Sequence, residues 1–187
     1  MRQSPPPKPS RSELLAAADR TLPDILAPGL DVVFCGINPG LYSAWSGHHF
    51  ARPGSRFWPA LHRSGFTPRE FPPAQQEELL DLRLGLTNIV ARASAAAAEL
   101  TAAELRAGAR ALEVKMRGHA PAWLAILGVT AFRTAFDRPD ATYGPQDLML
   151  GQTRVWVIPN PSGLNAHFTP PRLAAAFADL RNAVSRT

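Results

Sequence analysis

The chain has 187 residues, a formal net charge of +5 and a sequence pI of about 10.3. That is the size of one ordinary domain, able to bury a core without disulfides or metals. Although 45% of the residues are apolar, no uninterrupted apolar run approaches the roughly 20 residues of a membrane span, so a soluble protein is expected.

The single cysteine, Cys35, excludes a disulfide framework and any multi-cysteine zinc or iron–sulfur site. It points to a reducing, intracellular compartment: cytoplasmic, and nucleoid-associated in a bacterium. The excess charge is carried by arginine, since lysine occurs only at Lys8 and Lys115. Such a balance suits phosphate-rich partners, but an arginine bias also follows genome base composition, so charge alone does not establish nucleic-acid binding.

In chain order, residues 1–11, "MRQSPPPKPSR", read as a disordered basic, proline-rich tail with no apolar segment of a secretory signal. Residues 12–187 read as one domain. "SELLAAADRTL" from Ser12 is a capped helix and "DVVFCGI" a buried strand. After a long glycine-containing loop, "RFWPALHRSGF" from Arg56 is a helix that tolerates Pro59 in its first turn. "PPAQQEELLDL" is another helix, "GLTNIV" at 85–90 a strand, and "TAAELRAGARALEVKMRGH" a long helix opened by a Thr101/Glu104 capping box. "AWLAILG" is a strand, "TAFRTAF" a short helix, "RVWVIP" a strand and "PPRLAAAFADLRNAV" the closing helix. Between the last two strands, "FDRPDATYGPQDLMLG" reads as a connection whose Asp137, Asp140 and Asp147 serve turns. This alternation predicts a three-layer α/β/α fold around a short, mainly parallel sheet. Ligands of such sheets bind beyond the C-terminal strand ends.

Two of those ends carry Asn-Pro turns: "GINPG" at 36–40 and "NPSGLN" at 160–165. The glycines and prolines of the first give a rigid strand exit, and Asn38 offers one acceptor and two donors without charge, which suits orienting a water. Tyr42, Trp45, Phe50, Phe57 and Trp58 follow; some belong to the core, while one near the strand ends can stack on a planar base. In the second turn Leu164 stands among small polar residues. It either pins the loop to the core or pushes into a base stack as an apolar wedge. Arg52, Arg56 and Arg92 lie on loops ringing the strand ends and are candidates for phosphate contacts. His48 and His49 read as a solvated loop or a phosphate contact rather than a metal site, because no second cluster of ligands has the required spacing. Trp123 and Trp156 read as core. With no GxGxxG or GxxxxGK motif, a nucleotide-cofactor enzyme is a poor alternative.

"GINPG" and "NPSGL", in this order and at the ends of the first and last strands, together with "FARPGSRFW", "LTNIVAR", "LAILG" and "VWVIPNPSGLN", resemble the mismatch-specific uracil/thymine-DNA glycosylases of the uracil-DNA glycosylase superfamily. The resemblance implies that Asn38 is the catalytic asparagine that positions water and that Phe50 stacks on the flipped base. It implies a base pocket edged by Gly36, Ile37, Pro39, Gly40, Ser43, Asn88 and Asn160. Gly163 and Leu164 match the intercalating loop, with Ser162, Asn165 and His167 beside them as strand contacts. Where faster relatives carry a histidine, this chain has Asn160, so catalysis is expected to rely on oriented water and preorganised dipoles. The alanine-rich "ARASAAAAEL" departs from expectation as well: Ala93 is a position where an acidic water activator is missing, and aspartate there is expected to raise activity. The implied partner is double-stranded DNA with a G·U or related mispair, acted on by a monomer without cofactor or metal. The alternatives are an inactive DNA-binding module of the same fold and an enzyme acting on free nucleotides.

Overall fold

The computed structural model describes residues 8–185. Helix α1 (Arg11–Leu15) is closed by a capping box in which the Ser10 hydroxyl accepts from the Glu13 N–H and the Glu13 carboxylate accepts from the Ser10 N–H at 2.7 Å. Helical order therefore starts within the expected tail, whose residues 1–7 lie outside the described residues.

Five strands follow: β1 (Val32–Gly36), β2 (Leu84–Asn88), β3 (Trp123–Leu127), β4 (Gly144–Leu150) and β5 (Thr153–Ile158). They form one sheet in the order β2-β1-β3-β5-β4, parallel throughout except for the antiparallel β4–β5 pair. Because side chains alternate across a strand, β1 feeds both faces. Val32 and Phe34 join Phe57, Leu61, Phe177 and Leu180 on one side. Val33 and Cys35 join Leu112, Met116 and Phe132 on the other. Helices α3 (Phe57–Arg63) and α6 (Pro170–Val184) cover the first face, and α4 (Ala102–His119) and α5 (Val129–Ala135) the second. This is the expected three-layer α/β/α fold. Each fully buried Phe or Leu removes enough apolar surface from water to contribute roughly 1.5–3 kcal/mol. Burial also pushes the Cys35 thiol far above its ordinary pKa, so it stays protonated.

Several local expectations hold. Pro59 lies in the first turn of α3, and the Thr101/Glu104 capping box opens α4. Three differ. The long loop after β1 contains a short helix, α2 (Leu41–Ser46), ended by Gly47 at φ +77°. Residues Pro73–Leu82 form 3-10 rather than α-helical turns. The stretch read as a connection contains β4, whose solvent-facing alternation is that of an edge strand; Asp147 stands on its exposed side.

Sheet order places the strand-order reversal at β1, whose neighbours are β2 and β3. A crevice at the C-terminal ends beside such a reversal is where ligands enter open α/β sheets.

Candidate active site

A cleft of about 520 Å³ opens there, lined by residues 36–40 after β1, Asn88 at the end of β2, Leu127 at the end of β3 and residues 160–164 after β5. Leu22, Ser43, residues 49–50 and 52–56 and the segment 94–97 complete its wall. The strand-end loop is zipped to the β2 exit by backbone bonds: Ile89 N–H to the Gly36 carbonyl and Val90 N–H to the Ile37 carbonyl, both 2.9 Å, and Ser94 N–H to the Pro39 carbonyl at 3.2 Å.

That zipper fixes the Asn38 amide. Its Nδ2 donates to the Arg92 carbonyl at 3.0 Å and to the Ser94 hydroxyl at 2.8 Å. The carbonyl can only accept. The Ser94 hydroxyl spends its own proton on the Ala96 carbonyl at 2.8 Å, so it too must accept from Asn38. Both amide protons are thus committed, and a flipped amide would set oxygen against oxygen. The Asn38 Oδ1, without a partner among the described residues, is left as an acceptor in the cleft.

Phe50 forms one wall. Its ring stacks on buried Phe57 with centroids 4.0 Å apart and planes 21° apart. Its backbone holds φ +52°, a region that costs a non-glycine residue about 1–2 kcal/mol. Neighbouring bonds offset this. The Gln76 side-chain oxygen accepts from the His49 N–H at 2.7 Å, Trp58 Nε1 donates to the His49 carbonyl at 3.2 Å, and the Ala51 N–H donates to the Ser43 hydroxyl at 3.2 Å. Gly36 lets the ring close in. A Cβ there would lie 2.5 Å from Asn88 Oδ1 and 3.3 Å from Phe50 Cζ. Asn88 makes no side-chain hydrogen bond to a described residue, so its amide offers an acceptor and two donors beside the Phe50 ring.

The facing wall is the second Asn-Pro turn. Asn160 Oδ1 accepts from the Ser162 N–H at 2.9 Å, the Asn160 carbonyl accepts from Asn165 Nδ2 at 3.1 Å, and the Ser162 hydroxyl accepts from the Leu164 N–H at 3.2 Å. These bonds leave the Asn160 amide protons uncommitted and shape a tight loop with Leu164 at its tip. Leu164 is 76% exposed, more than any other large apolar side chain described. It does not pin the loop to the core.

The two Asn-Pro turns and the Asn88 end of β2 therefore line one cleft walled by an aromatic ring and an apolar tip. The chain belongs to the uracil DNA glycosylase superfamily. The family model matches residues 23–181. Among solved structures, similarity extends to a solution NMR structure from Methanosarcina acetivorans whose assignment as a uracil DNA glycosylase is itself provisional; at 17% identity it covers 87% of this chain and 98% of that one, with a TM-score of 0.58. At that identity the likeness speaks for the superfamily fold.

Against this superfamily frame, several residues expected at the site stand elsewhere. Ala93 is fully buried and packs with Ala17 and Ala44, not in the cleft. An aspartate there would be a carboxylate among alanines, which corrects the idea of a missing water activator at 93. Arg92 turns its guanidinium away to Glu104 and Asp19, and only its backbone carbonyl serves the site. The Arg92 guanidinium, with the Thr101 N–H, holds the Glu104 carboxyl down to about 2. Arg56 is spent on backbone carbonyls of the Leu164 loop. Arg52 remains at the rim, exposed and with no side-chain partner among the described residues, available to a phosphate. His49 is buried rather than solvated, its Nε2 sharing a 2.8 Å hydrogen bond with the Pro23 carbonyl, and burial lowers its pKa so that it stays neutral. His167 is exposed beyond the Leu164 loop, its N–H donating to Asn165 Oδ1 at 3.1 Å. Tyr42 and Trp45 pair edge to face at 5.4 Å on α2, outside the cleft lining. No group of three or more His, Cys, Asp or Glu suited to a metal occurs among the described residues.

Ser94 is the residue that sequence reasoning missed. It lies in a run that reads as chemically blank, and its only signal was a hydroxyl two residues after the Arg that ends "TNIVAR".

Proposed function

We propose that the protein is a monofunctional, mismatch-specific DNA glycosylase of base-excision repair. It flips mispaired uracil, and thymine more weakly, out of duplex DNA and hydrolyses the N-glycosidic bond to leave an abasic site. The observation that carries this reading is the doubly anchored Asn38 amide, which presents a bare acceptor oxygen opposite an aromatic wall. A planar base stacked on Phe50 would meet the unspent donors and acceptor of Asn88. A water donating to Asn38 Oδ1 would be oriented toward the sugar carbon as the base departs.

Glycosidic cleavage develops positive charge on the sugar and negative charge on the leaving base. Water's oxygen forms the new C–O bond, the C–N electrons leave with the base, and the water proton passes to solvent or to the departing base. The uncommitted Asn160 amide protons supply a neutral donor near the leaving group. Without a histidine there, the leaving group matters, and uracil leaves more readily than thymine. Mispaired bases are also cheaper to flip. Since a single chain assembles the whole cleft, the reading is of a monomer acting on intracellular DNA.

Excision from duplexes carrying a central G·U, A·U, G·T or G·C pair tests it. Alkali-labile sites should form fastest at G·U, more slowly at G·T and not at G·C. Salt-sensitive binding without any excision would instead support an inactive DNA-binding module, and preference for free nucleotides would contradict both.

A further inference from the structure

We propose that Arg56 is a positioning residue that holds the Leu164 loop ready for insertion, an inference that rests on the glycosylase reading. The sequence offers Arg56 as a phosphate contact, but three of its five guanidinium N–H donors are already engaged. Nη1 donates to the Asn165 carbonyl at 3.0 Å and the Phe168 carbonyl at 2.7 Å, and Nη2 to the Gly163 carbonyl at 3.2 Å. The Arg56 N–H donates to the Pro161 carbonyl at 2.9 Å. One residue thus grips the loop before, at and after its apolar tip.

A second contact presses the same two loops together. A Cβ on Gly163 would lie 2.4 Å from the Gly54 carbonyl oxygen, so the backbones meet where only glycine fits. Insertion of Leu164 into a base stack demands a loop that does not collapse when the exposed leucine seeks apolar cover. A planar guanidinium reaching three carbonyls supplies that stiffness, and a lysine ammonium cannot match the fork geometry. Arg56 is also the N-cap residue of α3, whose next residue, Phe57, is the ring on which Phe50 rests. The wedge and the base-stacking wall are therefore built on one rigid hinge point, which ties filling of the vacated stack to capture of the flipped base.

The test is a double-mutant cycle in single-turnover excision from a G·U duplex, using Arg56→Met, Leu164→Ala and the double variant, with amide hydrogen exchange of residues 162–168 measured on the same proteins. If Arg56 acts through the wedge, each single variant loses about tenfold and the double loses no more than Leu164→Ala alone. Exchange in the loop accelerates in Arg56→Met, and Arg56→Lys recovers only part of the protection. Additive losses, or a loop whose exchange is unchanged in Arg56→Met, would overturn the proposal. Faster loop exchange in a protein whose unaltered form excises nothing would leave the clamp standing and remove the glycosylase reading instead.

Discussion

Removing the Ser94 hydroxyl probes the geometry of Asn38 without touching Asn38 itself. Two acceptors hold its amide, the Arg92 carbonyl at 3.0 Å and the Ser94 hydroxyl at 2.8 Å. In Ser94→Ala one remains. A net hydrogen bond between neutral groups is worth about 0.5–1.5 kcal/mol. At about 1.4 kcal/mol per tenfold in rate, that predicts a two- to twelvefold loss in the single-turnover excision rate. The loss should stop there, because a flipped amide still meets the Arg92 carbonyl oxygen to oxygen. Ser94→Thr, which keeps the hydroxyl, should recover most of the rate. The assay uses saturating protein over a labelled G·U duplex, so that duplex binding does not enter. An unchanged rate in Ser94→Ala would show that the hydroxyl orients nothing, and a loss as deep as that of Asn38→Ala would assign Ser94 a direct part in the chemistry.

Ala93→Asp should destabilise the fold by about 2–4 kcal/mol, seen as a lower denaturation midpoint, because it buries an unpaired carboxylate; unimpaired stability with faster excision would restore the water-activator idea. Gly163→Ala should slow excision about tenfold while leaving overall folding cooperative, since a misplaced Leu164 forfeits wedge contacts of a kcal/mol or more; a wild-type rate would mean that the two loops can part at no cost. Glu104 is held down to about 2, well below its ordinary 4.5. Its contribution to stability should therefore be complete above about pH 4.5 and be lost as pH falls toward 2, and Glu104→Gln should flatten that acid limb in denaturation curves taken across the range. Affinity for any duplex should fall with added salt as phosphate contacts release counterions, and Arg52→Ala should reduce the slope by about one.

The sheet was readable where strands are buried on both faces. β1, β2 and β3 are buried along their whole length and β5 along most of it, and the Asn-Pro exits of β1 and β5 mark the cleft. β4 escaped because an edge strand needs apolar residues on one side only; "GPQDLML" therefore shows Gly, Pro and Asp, the signs of a turn. α2 escaped because six residues between glycines are too few for a helical period to show. At the site, residue type and position brought Asn38 and Phe50 to the cleft but could not say where long side chains point. Arg56 and Arg92 share the composition of Arg52, yet both are consumed by partners far away in sequence. His49 likewise lies beneath the loop and not on it. Ala93 and Ser94 differ by one position, and only the local backbone decides which of them reaches Asn38.

The most direct test of the account compares Asn38→Ala with the unaltered protein on one G·U duplex, measuring single-turnover excision and duplex affinity side by side. The account predicts excision lowered on the order of a hundredfold or more with affinity nearly unchanged, because the amide oxygen orients water and contributes little to holding DNA. Excision that survives in Asn38→Ala, or a loss explained wholly by weaker binding, would contradict it.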